Sequence, residues 1–481
     1  MRALLSTSIG VTCAAALTLP LAAPAPALPA PAPVAHAPAA PAAEPLGSTQ
    51  SLPLRPLGDG ASRAAGEPTD SASPSPGGQG LRQLASHRFS LVGVVWDDAD
   101  TELHGTVQVR TRAAGTGRWS AWQDLETHNT DHSADTGSAE RESGTVRGST
   151  APLWVGDSDG VDVRVHGEAG GPRTGAGDTA ALPAGLRVEL VDPGDDPQQP
   201  PAAGATTAAT PAVATPSTGI TAPVASPQAG ALPDSAALAV AAAESSAVNA
   251  DLAPLGATEI SALSKAESEE QAVVAAGAKP YVGPRPRIVT RKGWGADESL
   301  RERAFAYTST VKAAFIHHSA TGNNYTCSQA PSVLRSIYRY HVKSSGWRDF
   351  GYNFAVDKCG NIYEGRAGGV SKAVLGAHTL GFNTNSMGIA VLGTYSSKNP
   401  PAAAVTAIAK LTAWKLGLFG RNPKGKVTLV SGGSGKYKKG AKVKLHVIAG
   451  HRDGFATECP GSRLYKKLGT ARKSSATLQG R

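Results

Sequence analysis

Two tracts, residues 28–85 and 196–285, constrain this chain more than any other feature, because both are dominated by Ala, Pro, Ser, Thr and Gly. Segments with so few large apolar side chains cannot bury enough surface to offset the entropy of an ordered backbone. The 481 residues must therefore fold as separate units rather than around one core. The first tract reads as a disordered lead-in and the second as a spacer, with one short helix near "LPDSAALAVAAAESSAV". Folded structure is left to residues 86–195 and 286–470, followed by a tail at 471–481.

Residues 1–27 combine one Arg, a short apolar run and Ala-rich small-residue sites, the pattern of a secretory signal peptide. No later stretch approaches the roughly 18 apolar residues of a membrane span. The expectation is a secreted, cell-wall-associated protein without a membrane span. Outside the cytosol free thiols oxidise, so Cys327, Cys359 and Cys459 need partners, and one disulfide plus one metal-bound thiolate would satisfy all three.

In segment 86–195, "HRFSLVGVVW", "GTVQVRTR", "RWSAWQDL", "GVDVRVHG" and "GLRVELVDPG" alternate with a period of two between Gly, Asp and Asn turns. They predict a small all-β, sandwich-like unit. Trp96, Trp119, Trp122 and Trp154 are expected mainly to fill its core, with a sugar-stacking platform as the alternative. No charged catalytic constellation stands out in it.

Segment 286–470 reads as a compact α/β domain with a mixed central sheet flanked by helices. "KAAFIHHSAT" and "SMGIAVLGTY" are buried strands, and "APSVLRSIYRYHVKSSG" and "PPAAAVTAIAKLTAWKLGLFG" are helices. "YNFAVDKCGNIYEGR" is a hairpin, and "KVKLHVIAGHRD" is a strand that delivers His451. From residue 286 onward 31 Lys plus Arg face 8 Asp plus Glu, a net of +23, whereas the preceding residues hold 16 and 30, a net of −14. The basic third suits a polyanion, and the Lys-rich "NPKGKVTLVSGGSGKYKKGAKVKLH" reads as a cationic loop facing anionic cell-wall polymers. Nucleic acid is not expected, since no recognition motif accompanies the charge.

"AGHRDGFATECPG" sets His451 and Cys459 eight residues apart, the spacing of a strand end and a loop folding back over one site. A hydrolytic zinc site takes three protein ligands and keeps a fourth position open. A third ligand is expected at the end of the first strand, where His317 and His318 stand together.

The segments "IHHSAT", "GWRDFGYNF", "GNIYEGR", "LGAHTLGFNTNSMGIAVLG" and "AGHRDGFATECPG" resemble, in that order, the zinc-dependent type 2 N-acetylmuramoyl-L-alanine amidases and the peptidoglycan recognition proteins that share their fold. The resemblance runs from about residue 288 to 468, roughly two fifths of the chain. It implies Zn2+ held by His317, His451 and Cys459, with His318 facing away. It further implies that Tyr352 supports the attacking water and that Thr457 steadies the oxyanion. His378, Asn383 and Arg366 are implied as binders of the muramyl sugar or stem peptide. Giving Cys459 to the metal leaves Cys327 and Cys359 as a disulfide. Trp347 is a groove wall or core residue, and Glu364 is expected to be a solvated charge rather than a base. The implied activity is cleavage between N-acetylmuramic acid and L-alanine of peptidoglycan, and the alternative is a non-catalytic peptidoglycan-binding protein of the same fold.

Overall fold

The computed structural model describes residues 47–57, 78–83, 85–127, 129–168, 180–196, 234–276 and 281–481. The expected signal peptide, most of the lead-in and the spacer at 197–233 lie outside the described residues. Among them no helix is long and apolar enough to cross a membrane.

The first unit comprises β1 (Ser48–Pro53), β2 (Arg55–Pro56), β3 (Gly78–Gln83), β4 (Phe89–Trp96), β5 (Gly105–Ala113), β6 (Gln123–Leu125), β7 (Gly148–Ser149), β8 (Leu153–Gly167) and β9 (Arg187–Asp192). All nine join one hydrogen-bonded sheet, a nearly closed barrel rather than two separately paired sheets. Three of its strands come from the stretch read as a lead-in. β1 pairs along its whole length with β9, and β3 pairs with β8, so tertiary pairing supplies what local composition does not.

β4 explains how this unit attaches to the rest. Val92, Val94 and Trp96 point into the unit's own core with Val109, Val163 and Val188. Leu91 and Val95, on the opposite face, pack with Trp154 and Val191 against Ile337, Tyr338 and Tyr340 of the second unit. Both faces of the strand are covered, which is why "LVGVVW" is a continuous apolar run rather than an alternating one. Gly93 makes the approach possible, since a Cβ there would lie 2.4 Å from the Tyr340 hydroxyl. Trp96 and Trp154 are core residues. Trp119 and Trp122 are half-buried beneath arginines, with the Arg110 guanidinium 5.3 and 5.0 Å from their ring centres.

The second unit begins earlier than its sequence suggests. α1 (Asp234–Ala247), β10 (Glu259–Ile260) and α2 (Lys265–Ala276) precede β11 (Ile288–Val289) and α3 (Arg291–Trp294). β10 pairs with β11, and Ile260 joins the main core. Then follow β12 (Ala313–His318), α4 (Ala330–Arg339), β13 (Phe354–Val356), β14 (Ile362–Glu364), β15 (Ser386–Val391) and α5 (Ala402–Leu418). The chain ends with β16 (Lys426–Val430), β17 (Lys442–His446), β18 (Ile448–Gly450), α6 (His451–Gly454), α7 (Ser462–Tyr465) and α8 (Leu468–Gln479). The sheet order is β10-β11-β14-β13-β15-β12-β18. β12 lies between β15 and β18, parallel to both, and buries every residue. The expected cationic loop is instead the antiparallel pair β16-β17, whose Leu429, Val443 and Leu445 pack on Phe315 and Phe382. Cys327 and Cys359 form a disulfide.

Candidate metal centre

Parallel register builds the site. Ile316 of β12 pairs with Gly450 of β18, so the next residues, His317 and His451, emerge side by side at the carboxyl ends of adjacent strands. Such strand ends are where open α/β sheets bind ligands. At His451 the strand turns into α6. Asp453 holds that turn by accepting the Gly450 N–H at 2.9 Å and the Tyr465 hydroxyl at 2.6 Å. The following loop returns Cys459 to the site, its carbonyl accepting the Arg452 N–H at 2.9 Å. Gly461 ends the loop at φ 84°, where a Cβ would meet the Tyr395 backbone at 2.4 Å.

Cys459 Sγ lies 3.7 Å from His317 Nδ1, and all three side chains are buried. Burial pushes His317 well below the ordinary imidazole range, with the neighbouring His451 adding to it. Burial, helped by the neighbouring His132, brings His451 down to about 3. Both rings are therefore neutral and offer lone pairs. Burial also pushes the Cys459 thiol up, so without a cation the sulfur keeps its proton. Two neutral imidazoles and one thiol form a donor set that fits zinc. His318 lines the adjoining cavity outside the donor set, its Nδ1 accepting the Tyr395 N–H at 3.2 Å.

Tyr352 lies beside the set, its ring centre 5.2 Å from that of His317, and burial raises its phenol to about 12. Thr457 Oγ1 accepts the Cys459 N–H at 3.2 Å. A cavity of about 570 Å³ adjoins these groups, lined among others by Tyr352, Arg452, Thr457 and Cys459. His378 does not reach that cavity. It is fully buried, 5.4 Å from the His317 ring, with Nδ1 3.0 Å from Thr379 Oγ1. Trp347 is core, stacked on His341. Glu364 is buried, not solvated; it accepts the Asn249 amide at 2.8 Å and the Arg291 N–H at 3.2 Å, and burial raises it to about 7.

Asn383 and Arg366 are engaged by the first unit. Asn383 Nδ2 donates to Ser133 O at 2.9 Å and Asp135 Oδ1 at 2.7 Å. Arg366 Nη1 and Nη2 donate to the two oxygens of Glu140 at 2.7 and 2.8 Å. The same loop, between β6 and β7, places His132 within the ligand set, and one donor atom each from His132, His317, His451 and Cys459 lies within 4.8 Å of the others. Beside it, burial opposes ionisation of Asp131, but its neighbour His132 and the hydrogen bonds it accepts from His132 and Thr457 outweigh it and hold the carboxyl below its usual range. The β unit, in which no charged catalytic constellation stood out, thus contributes His132 to the donor set. "TDHSAD" held a histidine between acids, but nothing local ties it to a strand end 319 residues away.

Residues 307–462 match the family described as N-acetylmuramoyl-L-alanine amidase, and residues 34–227 the one described as Rv3811 N-terminal galactose-binding domain-like. Peptidoglycan-recognition protein SC2 of Drosophila simulans is 32% identical over 185 residues, 38% of this chain and 85% of that protein. The N-acetylmuramoyl-L-alanine amidase of Homo sapiens is 30% identical over 200 residues, 41% of this chain and 30% of that protein. The solved wild-type Drosophila PGRP-LB is 27% identical, covering 38% of this chain and 93% of that one, with a TM-score of 0.31. The chain belongs to the family of N-acetylmuramoyl-L-alanine amidases and peptidoglycan-recognition proteins.

Proposed function

We propose that this is a secreted zinc-dependent amidase that cleaves the bond between N-acetylmuramic acid and the L-alanine of peptidoglycan stem peptides. The observation that carries the reading is the convergence of His317, His451 and Cys459 at one buried point beside an open cavity. Zinc bound there would supply Lewis-acid activation of water and of the scissile carbonyl. Tyr352, kept as a neutral phenol by burial, orients the attacking water by hydrogen bonding. Thr457 steadies developing negative charge on the carbonyl oxygen through its hydroxyl. Arg366 and Asn383 bind carboxylate and amide groups of the stem peptide once they are free. His378 acts through His317, fixing its ring from the buried side.

The test is metal analysis of the purified chain together with digestion of purified cell walls. One zinc per chain, lost in Cys459→Ser, and newly exposed N-terminal alanine support the reading. Zinc-loaded protein that binds walls yet exposes no new alanine in any variant would leave it a recognition protein.

A further inference from the structure

The loop at 129–147 does more than pack against the second unit. Buried Asp131 accepts the His132 Nδ1 proton at 2.8 Å, which orients the ring so that His132 Nε2 faces the other donors. His132 Nε2 lies 3.2 Å from His451 Nδ1. In a tetrahedral zinc site neighbouring ligand atoms are separated by about 3.3–3.6 Å, as zinc–nitrogen and zinc–sulfur bond lengths require. The His132–His451 and Cys459–His317 separations of 3.2 and 3.7 Å lie within about 0.1 Å of that range.

The rest of the loop occupies the polar groups beside the centre. Asp135 Oδ1 accepts from the Gly381 N–H and the Asn383 amide, both at 2.7 Å. Glu140 neutralises Arg366, and the Asp131 carbonyl accepts the Leu380 N–H at 2.9 Å. Three acidic side chains of an acidic unit are thus set into a basic domain.

We infer that this loop is an inhibitory cap, with His132 as a fourth protein ligand closing the metal centre and Asp135 and Glu140 covering the groups meant for substrate. Resting on the metal-centre reading above, this makes the chain a latent hydrolase. A site with four protein ligands leaves no position for water, whereas a hydrolytic site requires one. Hydrolysis begins only when the loop is displaced.

The test uses the full chain loaded with Co2+ or Zn2+ as wild type, His132→Ala and Asp135→Ala/Glu140→Ala, the last retaining all four donors should His132→Ala fail to fold. The wild type is expected to hold one Co2+ with visible absorption bands that azide does not alter. His132→Ala should keep the ion, bind azide with a clear spectral shift and lose Zn2+ to a chelator at least tenfold faster. The double variant should also gain azide sensitivity. Turnover of cell walls should rise at least tenfold in both variants. Equal azide affinity and equal chelator rates in wild type and His132→Ala would overturn the proposal, as would lower turnover in a metal-loaded His132→Ala, which would place His132 in catalysis. Absence of metal from every variant is a different failure, because it removes the metal-centre reading as well.

Discussion

Glu140→Ala isolates what holds the loop closed. The Arg366 and Glu140 side chains are 4% and 6% exposed and meet through two parallel hydrogen bonds. The carboxylate also accepts the Arg348 N–H at 3.2 Å. Removing one partner of such a pair leaves a buried charge uncompensated, at about 3–5 kcal/mol. Arg366 keeps the Phe350 carbonyl, which its Nε meets at 2.7 Å. Water reaches the guanidinium as soon as the loop lifts, so the loss is expected mainly in the closed state rather than in the folded domain. A closing equilibrium weakened by about 3 kcal/mol speeds hydrogen exchange of the loop amides by roughly 150-fold, at 1.4 kcal/mol per factor of ten. The assay is exchange measured by mass spectrometry on peptides spanning 129–147, with peptides from β12 and β15 as internal controls. Arg366→Met and the double variant complete a cycle that should return a coupling of about 2 kcal/mol or more. Unchanged loop exchange in Glu140→Ala, or a coupling below about 0.5 kcal/mol, would refute the reasoning.

Tyr340→Phe removes the hydroxyl that donates to Val94 O at 3.3 Å and Thr150 O at 3.0 Å, and is expected to lower unfolding stability by about 1–3 kcal/mol in urea melts. Cys327→Ser/Cys359→Ser opens a loop with a sequence separation of 32 and should lose about 3–4 kcal/mol in the same assay. Glu364 has a folded pKa raised to about 7 from an ordinary 4.5, so the folded state binds the extra proton between these values. Its contribution is fully present below pH 4.5 and lost as pH rises through 7, a fall of up to about 3 kcal/mol. Glu364→Gln should flatten the stability profile across that window, and an unchanged slope would contradict the assignment.

Where the sequence carried its own physics, it was enough. "KAAFIHHSAT" is apolar without interruption because β12 has parallel neighbours on both sides, and its two histidines mark where the strand leaves the core. The order of the five motifs defined the family, and the three thiols at 327, 359 and 459 matched one disulfide and one free buried Cys459 among the described residues. Local pattern also found α1 and the main strands of the β unit. It missed β1, β2, β3 and β10, because short polar strands are made by their partners rather than by their own propensity. It placed Glu364 in solvent, since a hairpin end looks exposed until Asn249, in the turn after α1, and the start of α3 cover it. Above all it gave no hint that Asp131, His132, Asp135 and Glu140 meet residues more than 200 positions away. Periodicity and motif spacing report on contacts near in sequence or repeated along it. A loop docked into another unit's site has neither, so only the packing of β4 against Tyr340, which fixes the two units together, decided what stands over the metal centre.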